Sequence, residues 1–212
     1  MSAPIRILLV EDHDIVREGL RSLIEARPGH LVVAEASTGR AALELVQTTS
    51  PQVVIMDINL PELNGIETTR QLAASHPRVK IIGLSVHTGG RLVHEMITAG
   101  AAGYLPKNCA ARELFAAIES VMKGRMYVSP ALSEAVPGAA ADPLARLSGR
   151  ERQVLQLLAE GRSTKEVARL LDLVTATVHT HRQNIMRKLH CRSIAEITRL
   201  AIREGVTSLD FN

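Results

Sequence analysis

Between Ile5 and Lys123, short apolar runs alternate with segments of helical periodicity, and that alternation leaves few folds open. The runs IRILLV (5–10), LVVAEA (31–36), VVIMD (53–57), KIIGLS (80–85) and AGYLP (102–106) have the continuous hydrophobicity of strands buried on both faces. Helical spacing marks Ile15–Ala26, Arg40–Thr48, Ile66–Ser75, Arg91–Ala99 and Arg112–Lys123, the last stopped by Gly124. Strands and helices in this rhythm predict an α/β doubly wound domain, a five-stranded parallel sheet covered by helices on both faces. Such a sheet gathers the carboxyl ends of its strands along one edge, where ligand sites form.

The run VVIMDINLP (53–61) shows why that edge matters, because a strand made for the core ends in the acid Asp57. Strand one likewise ends in Glu11 and Asp12, strand four in Ser85, and strand five leads into Lys107. Carboxylates gathered at one place repel each other and must either hold protons or bind a cation. Oxygen donors alone suit Mg²⁺, which uses one or two carboxylates, phosphate oxygens and water. Lys107 adds a fixed positive charge and Ser85 a hydroxyl. The predicted pocket takes a small dianion attached to, or held beside, an aspartate.

Beyond Arg125 the strand rhythm stops. YVSPALSEAV reads as a short helix opened by Pro130, and PGAAADPLA (137–145) has the composition of a linker. Three capping boxes follow, Ser148 with Glu151, Ser163 with Glu166 and Ser193 with Glu196, each at the head of an amphipathic segment. A further helix over Thr175–Leu189 completes a small all-α bundle of four. Residues 1–144 carry 13 Lys/Arg and 15 Asp/Glu (net −2), whereas residues 145–212 carry 12 and 7 (net +5), so the helical third holds the positive charge. Clustered cations of this kind point to a polyanion. Four aromatic residues are too few for a base-stacking platform, which favours a duplex over a single strand. STKEVARLL and DLVTATVHTHRQNIMRKL, joined by a short turn, have the form of a helix-turn-helix. On the second of these, Val178, Ile185 and Leu189 make the inward stripe with His181 or Arg182 between, while Ala176, His179, Thr180, Gln183 and Arg187 share the opposite face.

LLVEDHDIVREGL, VVIMDINLPELNGIE, IIGLSVH and AGAAGYLPK closely resemble the receiver domain of two-component response regulators, with every motif in order. LSGRERQVLQLLAEGRSTKEVARLL and TVHTHRQNIMRKL resemble the LuxR-type helix-turn-helix of the NarL/FixJ group. The resemblance implies a flavodoxin-like receiver over residues 1–125, a linker with a short helix over 126–145, and a DNA-binding domain over 146–212. By position it makes Asp57 the phosphoacceptor, Ser85 and Tyr104 the switch pair, and Lys107 the phosphate-pairing lysine. Glu11, Asp12, Asp57 and the Asn59 backbone carbonyl become the Mg²⁺ site. His179, Thr180 and Gln183 would face base edges, with Lys165, Arg182, Arg187 and Lys188 on phosphates and Thr175 and Ala176 at the head of the recognition helix. The family commonly opens this helix with a Ser cap and a Lys; here Val174 and Ala176 stand instead, with His179 at a second frequent lysine position, so Thr175 is expected to replace the cap. The implied partners are a sensor histidine kinase, double-stranded promoter DNA and, when phosphorylated, a second copy of the chain.

Two competing readings stay open at this stage. Phosphatases of the haloacid-dehalogenase type also use an aspartyl phosphate but need a second Asp two residues on, where this chain has Asn59. An adaptor whose lysine-poor helix no longer grips DNA is the other. His13 and His87 read as loop residues tuning access to the acidic site, and HTH at 179–181 is no metal motif because positions i and i+2 diverge on a helix. Cys109 and Cys191 match no metal spacing, and Cys191 reads as a small core thiol. No apolar run is long enough to span a bilayer and no signal-peptide pattern opens the chain, so the expectation is a cytoplasmic regulator with no membrane association and no enzymatic turnover.

Overall fold

A computed structural model describes residues 3–86, 90–133 and 143–207. The chain divides into two compact units, residues 1–139 and 140–212.

In the first unit strands and helices alternate as β1 (Ile5–Val10), α1 (Asp14–Glu25), β2 (His30–Ala36), α2 (Gly39–Thr49), β3 (Val53–Asp57), α3 (Gly65–Ser75), β4 (Lys80–Ser85), α4 (Gly90–Thr98), β5 (Gly103–Pro106) and α5 (Ala111–Met122). Every predicted strand and helix is present within one residue at each end. All pairings are parallel, in the order β2-β1-β3-β4-β5-β6. The sixth strand, β6 (Tyr127–Val128), departs from the five-stranded expectation. Two residues are too few to display a period, and β6 pairs with β5 through Tyr127 N–H to Ala102 O and Ser129 N–H to Tyr104 O, each 3.0 Å. The short α6 (Pro130–Ser133) follows, and Leu132 is fully buried in the core. Residues 127–133, read from sequence as linker, therefore pack onto the sheet, while 134–142, holding most of the Pro/Ala stretch, lie outside the described residues.

Successive residues of each strand serve opposite faces. Ile7, Leu9, Val53, Ile55, Ile82, Leu84 and Leu105 pack with Ile24 of α1 and Leu114, Phe115, Ile118 and Val121 of α5. Leu8, Val10, Val54, Met56, Ile81 and Tyr104 pack with Ala42 and Val46 of α2, Leu72 of α3 and Leu92, Val93 and Met96 of α4. All five residues of β3 are buried, which explains its unbroken apolar reading. Between β1 and β3 the chain reverses its direction of travel across the sheet, the switch point at whose strand ends such folds hold their ligands.

The second unit has a 3₁₀ turn (Pro143–Arg146) followed by α7 (Gly149–Ala159), α8 (Thr164–Leu170), α9 (Thr175–Leu189) and α10 (Ile194–Arg203). Its core holds Val154, Leu155, Leu157 and Leu158 of α7, Val167 of α8, Val178 and Ile185 of α9, and Ile197 and Ala201 of α10. Full capping boxes head α7 and α8. The third is half a box: Ser193 accepts the Glu196 N–H, but the Glu196 carboxylate turns to the Arg192 N–H at 2.7 Å. The cap of α9 also differs from expectation. Val174 is the N-cap and makes no side-chain bond, while Thr175 is already the first helical residue. A residue inside the first turn no longer has the extended backbone that lets a hydroxyl reach forward to an N–H. Among the described residues no helix is long and apolar enough to cross a membrane.

Candidate functional site

Glu11 follows β1 and Asp57 closes β3 on the same edge, both 1% exposed. Lys107, just past β5, reaches between them: its Nζ donates to Glu11 Oε1 and to Asp57 Oδ2, each at 2.9 Å. Glu11 Oε2 also lies 2.8 Å from that ammonium but accepts no hydrogen bond. The Asn59 N–H donates to Asp57 Oδ1 at 3.2 Å. Burial, reinforced by the Glu11 charge, pushes the Asp57 carboxyl up to about 6 against the opposing pull of Lys107. Burial works to lower the Lys107 ammonium, but the charge of Asp57 and the Glu11 bond outweigh it and raise it, so the lysine stays charged.

Asp12 is half-buried beside this pair. One ligand atom each from Glu11, Asp12, His13 and Asp57 lies within 4.8 Å of the others. The three carboxylates, with Glu11 Oε2 short of a hydrogen bond, form an oxygen donor set that fits a hard divalent cation. His13 is closer to this cluster than an access-tuning loop residue needs to be. Its Nδ1 sits 2.9 Å from Asp12 Oδ1 and 3.2 Å from Glu11 Oε1, and the Asp12 charge raises its pKa. His87 lies outside the described residues.

Ser85 and Tyr104 are both 0% exposed. Tyr104 packs inward and shares a hydrogen bond with Ser85, and burial pushes its phenol up to about 12. Beside this pair, Gly83 lets α4 come close to β4: a Cβ there would stand 3.0 Å from two Met96 side-chain atoms. Gly65 does comparable service for Asp57. A Cβ on Gly65 would fall 1.9 Å from the Asp57 carbonyl oxygen, so only glycine lets α3 start against the end of β3. Sequence reasoning singled out neither glycine, although a Gly inside an apolar strand and an Asn-Gly after a Pro are both signals of close backbone approach.

In the second unit α8 and α9 form the helix-turn-helix, with Asp172 in the left-handed region (φ 51°) at the turn. Val178 and Ile185 are buried, Leu189 half-buried, and Ala176, His179, Thr180, Gln183 and Arg187 exposed, as periodicity predicts. Lys165 is exposed at the head of α8, and Thr175 is exposed while Arg182 is half-buried. Lys188 has a partner within the unit that the sequence reading did not foresee. Its ammonium bonds Glu151 Oε2 at 2.6 Å, and Glu151 is 4% exposed. Burial works against the Glu151 charge, but Lys188 and the Ser148 N–H hold its carboxyl below the usual range. Sequence spacing hides this pair, 37 positions apart, because packing of α9 on α7 creates it. Cys191 is half-buried against the unit's core, and burial raises its thiol.

Residues 7–119 match the response regulator receiver domain, and residues 145–201 match the luxR family of bacterial regulatory proteins. The response regulator UvrY of Escherichia coli (strain K12) is 39% identical over 212 residues, 97% of each chain. A crystal structure of a LuxR-family two-component response regulator from Aurantimonas sp. SI85-9A1 is 41% identical, with a TM-score of 0.61 over 63% of this chain and 96% of that one. A complex of the response regulator RcsB with DNA, 22% identical, shares the fold over 92% of this chain and 96% of that one, with a TM-score of 0.59. The acidic edge of the sheet and the basic helix-turn-helix thus belong to one design, and the chain is a member of the two-component response regulators of the NarL/FixJ group, transcription regulators with a receiver and a LuxR-type DNA-binding domain.

Proposed function

We propose that Asp57 takes a phosphoryl group from a sensor histidine kinase and that the modified chain dimerises and binds promoter DNA through α9, acting in the cytoplasm as a switch without turnover of an external substrate. Residues 1–125 carry the acceptor chemistry and 146–212 the DNA contacts. The observation behind this reading is the Asp57 carboxylate, buried at the strand edge yet tied by Oδ2 to Lys107 at 2.9 Å. In its ionised form a carboxylate oxygen attacks phosphorus, an O–P bond forms as the bond to the donor's histidine nitrogen breaks, and the Lys107 ammonium faces the charge on the phosphoryl oxygens. An acid pushed up to about 6 is predominantly ionised at neutral pH, so the nucleophile is available. Glu11, Asp12, Asp57 and the Asn59 backbone carbonyl would hold Mg²⁺, which when bound neutralises charge on the transferring oxygens.

The added phosphoryl oxygens compete for the Ser85 hydroxyl, which now bonds Tyr104. A turn of Ser85 toward the phosphoryl group therefore alters the packing of Tyr104 between β4 and α4, and the Tyr104 position reports the state of Asp57. In the second unit, Lys165, Arg182 and Arg187 supply phosphate contacts, and Ala176, His179, Thr180 and Gln183 face the major groove. With Ala176 and His179 at frequent lysine positions, log affinity falls less steeply with log salt than in lysine-bearing relatives, by about one unit per lost contact. Incubation with radiolabelled acetyl phosphate and Mg²⁺ tests the acceptor: the wild-type chain takes up label and Asp57→Asn does not, and equal labelling of the variant refutes the assignment.

A further inference from the structure

At Ala176 and Thr180 the outer face of α9 offers a partner no side-chain hydrogen-bond donor, and the reason is local. Thr180 has a hydroxyl, but Oγ1 donates to the Ala176 carbonyl one turn back at 3.1 Å. With its one hydroxyl proton spent on its own helix, Thr180 offers a partner no donor, only its methyl and an oxygen that can still accept. Ala176, four residues earlier on the same face, contributes a second methyl, and both residues are exposed. Gln183 and His179 flank them with polar groups on the neighbouring surface.

Resting on the reading of α9 as the groove-facing helix, we infer that Ala176 and Thr180 select thymine at two positions of each half-site by contact with its C5-methyl group. In the major groove only thymine carries a methyl, and small apolar side chains are its complement; the amide of Gln183 suits the N6/N7 edge of adenine. The selected core is accordingly A·T-containing, with specificity carried by methyl burial where lysine-bearing relatives would use charge.

The experiment starts with site selection by the full-length phosphorylated protein from random duplexes. Each thymine of the enriched half-site is then replaced singly by deoxyuridine, which deletes the methyl and leaves the base pair intact. At two positions wild-type affinity falls about fourfold, the value of one methyl-sized group removed from contact. Thr180→Ser keeps the hydroxyl and loses the methyl, so one of those two positions becomes indifferent to uridine. Thr180→Val keeps the methyl and loses the hydroxyl, so sensitivity remains; a purely structural role for Thr180 would reverse that order. Enriched, sequence-specific binding that no uridine substitution weakens overturns the methyl readout while leaving DNA recognition by α9 standing. Failure to enrich any sequence overturns both.

Discussion

In the first unit the working groups are buried: Glu11 and Asp57 are 1% exposed, Ser85 and Tyr104 0%. In the second, Ala176, His179, Thr180, Gln183 and Arg187 all stand in solvent. On the function proposed above, the difference follows from what each region would handle. Phosphoryl chemistry needs a carboxylate held in a dry, preorganised field, where Lys107 at 2.9 Å is effective because little water screens it. A DNA surface must meet a large, hydrated polyanion, so its residues wait exposed and the fold beneath them supplies only rigidity. Buried groups are consequently coupled to stability, and exposed ones to affinity alone.

The largest break in this comparison should come from Lys107→Ala. Without the ammonium, Glu11 and Asp57 oppose each other undiluted, and the first unit loses about 3 kcal/mol at pH 8 in the absence of divalent cations, as read from chemical denaturation. The loss shrinks at pH 5, where Asp57 takes a proton, and millimolar Mg²⁺ recovers part of it at pH 8. A loss below about 0.5 kcal/mol would place Lys107 among screened surface lysines.

Next in size is the pH dependence of Asp57 itself. Its carboxyl titrates near 3.8 unfolded and about 6 folded, so between those values the folded state holds more protons and stability falls as pH rises. Asp57→Asn removes that fall: the metal-free variant exceeds wild type by about 2 to 3 kcal/mol above pH 6, and the gap closes toward pH 4. Thermal denaturation from pH 4 to 8 measures it, and a gap independent of pH contradicts the buried, cation-free carboxylate. Mg²⁺ should raise the wild-type melting temperature more at pH 7.5 than at pH 5, because the cation competes with that proton.

A smaller pair of effects separates the two lysine and arginine roles on α9. Lys188→Met leaves the buried Glu151 without its cation and costs the second unit about 1 to 3 kcal/mol, yet leaves the salt dependence of DNA binding nearly unchanged. Arg187→Ala does the opposite, leaving stability within about 0.5 kcal/mol and reducing the salt slope by about one unit. Stability and salt titrations on both variants would show whether the buried and exposed cations are divided as the geometry divides them.

Much of this was legible in the chain alone. The apolar runs, helical periods and breaker residues located five of the six strands and all ten helices among the described residues, because burial on both sheet faces forces unbroken hydrophobicity and one-sided burial forces a helical stripe. Motif order placed Glu11, Asp12, Asp57, Ser85 and Lys107 at strand ends. What escaped were features without a period or a fixed spacing. Tyr127–Val128 is too short to announce itself, and Gly65 and Gly83 matter through atoms they lack.

Local sequence therefore determined the architecture, the charge asymmetry of the two units and the residues at the sheet edge, since propensity, burial pattern and capping act over a few neighbouring positions. Only tertiary structure decided which charges meet. It set Lys107 between Glu11 and Asp57, tied Tyr104 to Ser85, and paired Lys188 with Glu151. Those pairings span tens of residues and depend on distances of a few ångströms, which packing alone supplies.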